Sequence, residues 1–252
     1  MRYLALATDY DGTIADDGVV DNLTLAALER LRGGARRLIL VTGRDLTDLQ
    51  RVMPRLDLFD LVVAENGAML YDPANHEEQA CGAAPPPVFV ERLRELGVAP
   101  LWMGRVIVAT SEPNAGRVLR AIHDLGLNLQ ITFNKSAIIV LPVGVTKASG
   151  LRGALAQLGL SPLNCIGIGD AENDLAFLDV CGLPVAVANA LPAVKERAAF
   201  VTRGTRGAGV AELIDQLLAT DLAEFDAIGQ RERAARVADD HRVASPEVPW
   251  WA

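Results

Sequence analysis

Asp9-Tyr10-Asp11-Gly12-Thr13 follows the apolar run Leu4-Ala5-Leu6-Ala7 after Thr8 alone, and this junction decides the fold. Side chains alternate along a strand, so acids at alternate positions of its end face the same side. A second apolar run, Ile166-Gly167-Ile168-Gly169, leads into Asp170-Ala171-Glu172-Asn173-Asp174. Two acid-tipped strands in one chain imply one acidic pocket and a bound cation. Unit charges about 4 Å apart repel by about 4 kcal/mol at an effective dielectric of about 20, so such a cluster needs compensation. Oxygen ligands favour Mg²⁺ over zinc or copper, and Mg²⁺ completes its shell with water and substrate phosphate.

Composition sets the surrounding limits. The chain has 252 residues, 50% of them hydrophobic, which is enough for one large buried core or two modest ones. A formal net charge of -8 argues against sequence-independent nucleic-acid binding. Cys81, Cys165 and Cys181 show no CxxC spacing, and their odd number argues against a disulfide framework. Reduced thiols in a cytoplasmic protein are expected. The first apolar run is too short for a signal peptide, and no run approaches a membrane span.

Outward from the first junction, apolar runs alternate with amphipathic segments, as in a parallel sheet with crossover helices. Strands are expected at Leu4 to Ala7, Leu38 to Val41, Leu61 to Ala64, Cys165 to Ile168, Val185 to Val187 and Phe200-Val201. Helices are expected at Asn22 to Arg32, capped by Asn22, at Thr146 to Leu158, Glu172 to Val180, Pro192 to Ala198 and Gly209 to Leu218. The pattern breaks at residues 72 to 87, where Pro73, Gly82 and Pro85-Pro86-Pro87 fall. The insert beyond it reads as a helix from Val88 to Leu96 and a strand from Arg105 to Thr110. A helix from Ala115 to Leu125 and a hairpin through Asn134-Lys135-Ser136 complete it. The expected organisation is a Rossmann-like α/β core (residues 1–71 and 142–218), a small αβ cap (72–141) and a charged tail (219–252). The tail is expected to be helical through Ala238, with Trp250 and Trp251 near its end.

Other residues suit phosphate handling. Thr42, after the second strand, offers a hydroxyl, and Lys147, at the start of the helix after the insert, offers a cation. Both would lie at the carboxyl edge of one sheet, where open α/β folds bind ligands. Each also has a plain reading, Thr42 as a helix cap and Lys147 as a solvated lysine. Competing motifs fail: Ile14 occupies the glycine position of a calcium loop, and Glu172 the third glycine of a dinucleotide fingerprint.

Together, Asp9 to Thr13, Val41-Thr42-Gly43-Arg44, Thr146-Lys147 and Gly169 to Asp174 resemble the four motifs of the haloacid dehalogenase superfamily, in order, over residues 1 to 218. The insert resembles the αβ cap of the Cof-type (class IIB) subgroup, in a short form like that of phosphoglycolate and sucrose-phosphate phosphatases. Glu65-Asn66-Gly67-Ala68 is similar to a segment common there. The resemblance implies a Mg²⁺-dependent phosphatase acting on a small soluble phosphoester, as a monomer or homodimer, with no nucleic-acid or membrane partner. Asp9 is then the nucleophile and Asp11 the acid and base. Gly12, Thr42, Gly43, Lys147 and Asn173 hold the phosphoryl group. Mg²⁺ binds Asp9, the backbone carbonyl of Asp11 and Asp170, with Asp174 either a further ligand or placed behind the ligands. Arg44, Glu65, Asn66, Asn134 and Lys135 are candidate specificity residues. Arg44 also reads as a partner of Asp45, and Asn134-Lys135-Ser136 as a plain turn. A phosphomutase of the same superfamily and a non-catalytic phosphate-binding module remain as alternatives.

Overall fold

The computed structural model describes residues 1–134, 136–223 and 225. Its centre is β1 (Ala5–Asp9), buried at all five positions. β1 pairs in parallel with β2 (Arg37–Val41) on one side and β10 (Cys165–Gly169) on the other. Beyond β2 lie β3 (Leu61–Ala64), parallel, then β4 (Met69–Asp72) and β5 (Glu77–Ala80), antiparallel. Beyond β10 lie β11 (Leu183–Ala186) and β12 (Phe200–Val201), both parallel. A sheet covered on both faces needs apolar side chains at consecutive positions, which is why LILV, LVVA and CIGIG read as unbroken runs.

Helices cover the sheet. α1 (Asn22–Gly33) packs against α8 (Arg206–Thr220), and α5 (Lys147–Gln157) lies over β3 and β4. α2 (Leu46–Val52), α6 (Leu175–Leu178) and α7 (Pro192–Arg197) complete the layers. The cap of α1 is Asp21 rather than Asn22: its carboxylate accepts the Thr24 amide at 2.7 Å. The expected helix from Glu172 to Val180 divides into a single turn at Glu172–Asp174 followed by α6. The division has a cause, since Asp174 turns its carboxylate back onto the amides of Asp170 and Ala171.

The insert forms a second layer pair. α3 (Pro87–Glu95) and α4 (Ala115–Asp124) cover one face of a four-stranded antiparallel sheet. The sheet contains β6 (Leu101–Met103), β7 (Val108–Ser111), β8 (Leu129–Asn134) and β9 (Ala137–Pro142), in the order β6-β7-β9-β8. Phe89, Val90, Leu93, Val108, Val118, Ala121 and Val140 make its separate core. Across the other face runs the row Trp102, Ala109, Ile139 and Thr132. Ile139 and Leu141 join the core of the larger domain, which seats the insert on it.

The edge of the large sheet and the strands of the insert differ from expectation. The large sheet continues through Ala80, so the expected edge at 71/72 falls inside it. β6 is an additional strand, too short between Pro100 and Gly104 to show a period. β7 begins at Val108 rather than Arg105, because the amides of residues 105–107 are bonded elsewhere. The expected helix through Ala238, together with Trp250 and Trp251, lies outside the described residues.

Asp221 closes the described fold just after α8. It adopts φ 53°, accepts the Arg2 amide at 2.8 Å and pairs with the nearly buried Arg36 at 2.7 Å. Burial would raise its carboxyl, but the Arg2 amide and Arg36 outweigh this and hold it below the ordinary value. A depressed carboxylate adds stability above its unfolded pKa and loses it as pH falls through the folded value. Asp221→Asn, which tolerates the left-handed backbone, should therefore unfold about 1 kcal/mol more easily at pH 7. Denaturant titrations should show that difference shrinking below about pH 4.

Candidate active site

The carboxyl ends of β1, β2, β3 and β10 meet at one edge: β1 ends in Asp9, and Thr42, Glu65 and Asp170 directly follow the other three. Asp9 closes β1, and Lys147 opens α5 above it. The entry of α5 is set by a reciprocal cap: Thr146 accepts the Ser149 amide and Ser149 accepts the Thr146 amide. The Lys147 ammonium lies 2.6 Å from Asp9 Oδ1 and 2.6 Å from Asp174 Oδ1, and all three side chains are almost completely buried. Its hydrocarbon stem leads the charge past the Phe177 ring.

Asp174 Oδ2 accepts the amides of Asp170 (2.9 Å) and Ala171 (3.0 Å), so both its oxygens are engaged. Thr13 Oγ1 donates to Asp170 Oδ1 at 3.1 Å. Gly12 sits at φ +93°, and a Cβ there would collide with the Asp170 carboxylate. Its carbonyl accepts from Asn189 Nδ2 at 2.8 Å. Asp9, Asp170 and Asp174 can each present a carboxylate oxygen within 4.8 Å of the others. An all-oxygen set of this kind fits a hard divalent cation.

The charge balance of this cluster is uneven. Burial, then the charge of Asp174, push the Asp9 carboxyl well above its ordinary value, with Lys147 pulling the other way. Burial would lower the Lys147 ammonium, but Asp174 and Asp9 outweigh it and hold it above its ordinary value. Lys147 thus faces two carboxylates, with Asp170 adjoining, and added positive charge favours the ionised form of Asp9.

Asp11 takes a different direction. Arg44 grips it through two bonds, Nε to Oδ2 and Nη2 to Oδ1, both 2.7 Å. The same guanidinium reaches Asp48, one turn along α2, and lies over the Tyr10 ring. The expected Arg44–Asp45 pair does not form; Asp45 caps α2 instead, accepting the Asp48 amide. Thr42 is buried, its hydroxyl accepting the Arg44 amide at 3.2 Å, and Gly43 lies between them.

The connection from β3 to β4 carries Glu65 and Asn66, both buried and both at positive φ. The Glu65 carboxylate accepts three cap amides: Arg105 (2.7 Å), Val106 (2.8 Å) and Ile107 (3.1 Å). It is therefore an anchor for the cap, where the sequence reading placed a substrate contact. Gly104 is required beside it, since a Cβ would come within 2.6 Å of the carboxylate. Asn66, in contrast, lines a cavity of about 280 Å³ with Lys147, Glu172 and Asn173 from the core and Gln130, Ile131 and Thr132 from β8. Asn134 ends β8, farther along the strand than Thr132, and Lys135 lies outside the described residues.

Sequence reasoning thus gathered Asp9, Lys147, Asp170 and Asp174, which touch or adjoin. It missed the Arg44–Asp11 grip, the Glu65 anchor, and Asn189. The last had a signal, a further apolar run, Val185 to Ala188, followed by a polar residue.

A family model for haloacid dehalogenase-like hydrolases matches residues 6–83 and 106–214. Curated relatives include a phosphoglycolate phosphatase of Methanothermobacter thermautotrophicus, 31% identical over 85% of this chain and 98% of its own. Another, from Haloarcula marismortui, is 30% identical over 83% of this chain and 95% of its own. Among solved structures, a haloacid dehalogenase-like hydrolase from Bacteroides thetaiotaomicron superposes with a TM-score of 0.71 at 20% identity, covering 85% of this chain and 99% of its own. A subclass IIB sugar phosphatase of the superfamily does so with a TM-score of 0.69 at 19% identity, covering 84% and 98%. The chain belongs to the haloacid dehalogenase-like hydrolases. Within them it is a phosphatase.

Two substitutions probe the site's construction. Lys147→Met leaves Asp9 and Asp174 buried without their cation, and in EDTA it should cost about 3–5 kcal/mol of stability by thermal unfolding. Adding Asp174→Asn should recover part of that loss. Glu65→Gln turns an amide NH₂ toward backbone donors, and denaturant unfolding should show a loss of about 1.5–3 kcal/mol.

Proposed function

We propose that the protein hydrolyses a small phosphomonoester, of the phosphoglycolate or sugar-phosphate type, through an aspartyl-phosphate on Asp9 and with Mg²⁺ as cofactor. The observation that carries this reading is the buried contact of Asp9 with Lys147, beside Asp170 and Asp174. The names of the curated relatives support phosphoglycolate, and the named subclass IIB neighbour supports a sugar phosphate. Free cysteines at positions 81, 165 and 181 accord with a cytoplasmic setting.

An oxygen of Asp9 attacks phosphorus, and the bond to the leaving oxygen breaks. Asp11 gives its proton to that oxygen, so the alcohol departs neutral. A water then attacks phosphorus as Asp11 takes its proton, and the bond to Asp9 breaks to release phosphate. Thr42 and Lys147 hold the phosphoryl oxygens, and Asn173 borders them from the loop after β10. Asp9, Asp170 and Asp174, with the backbone carbonyl of Asp11, would hold Mg²⁺, which would supply the positive charge that an anionic nucleophile and an anionic ester need to meet. Arg44 sets the position from which Asp11 works, and a bond to Arg44 must loosen for the carboxyl to carry a proton. The cap covers the centre and excludes bulk water while the ester is bound.

Phosphate release from a panel of phosphomonoesters tests the reading. Turnover should require Mg²⁺, vanish in EDTA, and vanish in a folded Asp9→Asn. Asp11→Asn should lower kcat by about 10²–10⁴-fold. An isomeric sugar phosphate in place of free phosphate would instead identify a mutase.

A further inference from the structure

The cavity between cap and core adjoins the reacting centre through Lys147, so it is where the departing alcohol must sit. Its chemistry is specific. Lys147 is the one basic side chain among its described lining residues, and that ammonium is already committed to Asp9 and Asp174. Glu172 adds a carboxylate to the wall. Asn66 is 3% exposed, and its Nδ2 has no hydrogen-bond partner. A buried amide donor left unpaired is costly, so it points to a ligand oxygen. Thr132 contributes a hydroxyl from β8, whereas Gln130 is turned to the backbone of Val145 and Gly144. Asn66 thus presents a donor, Glu172 an acceptor and Thr132 either, in the lining of one cavity.

We propose that this cavity selects an uncharged, hydroxyl-bearing leaving group, a polyol or sugar, and disfavours a carboxylate-bearing one. The inference rests on the phosphatase reading above and narrows its substrate class. Asn66 Nδ2 donates to an oxygen of the alcohol, Glu172 accepts from one of its hydroxyls, and Thr132 completes the set. A carboxylate on the leaving group finds no free cation among the described lining residues and meets Glu172 across the same space. The volume of about 280 Å³ leaves room for a leaving group larger than a glycolate fragment.

The test compares kcat/KM for glycerol 1-phosphate, a hexose 6-phosphate, phosphoglycolate and para-nitrophenyl phosphate, with Mg²⁺, in the full chain. At least one hydroxylated ester should exceed phosphoglycolate by about 10-fold or more. Glu172→Gln should narrow that ratio and Glu172→Lys should reverse it. Thr132→Val, which keeps the shape of a β-branched strand residue, should lower kcat/KM for the hydroxylated ester more than for para-nitrophenyl phosphate. Phosphoglycolate as the preferred ester, or a ratio indifferent to residue 172, overturns the inference while leaving the phosphatase intact. Release from none of the four by a folded protein removes the phosphatase reading and the inference with it.

Discussion

The Lys147 ammonium, buried between Asp9 and Asp174, is the contact on which the rest of the molecule turns. It joins residues from three distant parts of the sequence, the end of β1, the start of α5 and the turn after β10. None of the three charges is tolerable alone in so dry a place. The sheet, the helix and the turn must therefore arrive together, and the same bond that completes the fold holds the carboxylate proposed as nucleophile. Stability and chemistry share their atoms here, so a substitution that spares one and not the other has to be chosen with care.

The parts of this arrangement visible in the sequence were those written in the chain's own periodicity. Unbroken apolar runs marked the parallel strands, because both faces of that sheet are covered. Acids at the ends of two such runs marked the catalytic edge. The insert was visible as a break in rhythm and a cluster of prolines. What escaped notice depended on contacts between segments far apart in the chain. Arg44 read as a partner of its neighbour Asp45, and only the fold turns it toward Asp11. Glu65 read as a candidate specificity residue because nothing in its surroundings in sequence announces that three cap amides converge on it. β6 was too short for any period to register.

The division of work between adjacent residues is informative. Glu65 and Asn66 follow one another in the connection from β3 to β4, both at positive φ. One holds the cap in place, and the other faces the cavity the cap encloses. The position of that cavity wall is thereby tied to the anchor that carries it, and the cavity's dimensions cannot drift independently of the interface.

Glu65 recognises amide groups, and side chains play no part in that recognition. The requirement on residues 105–107 is therefore one of backbone shape: proline, which has no amide hydrogen, is barred from all three positions. In contrast, the identity of Arg105 is open to change so far as this anchor is concerned. A comparison of residue identities along that turn would make it look permissive, apart from Gly104. A cap grafted from another protein would need to bring a glycine followed by three outward amides, whatever side chains it bore, before it could sit on this core.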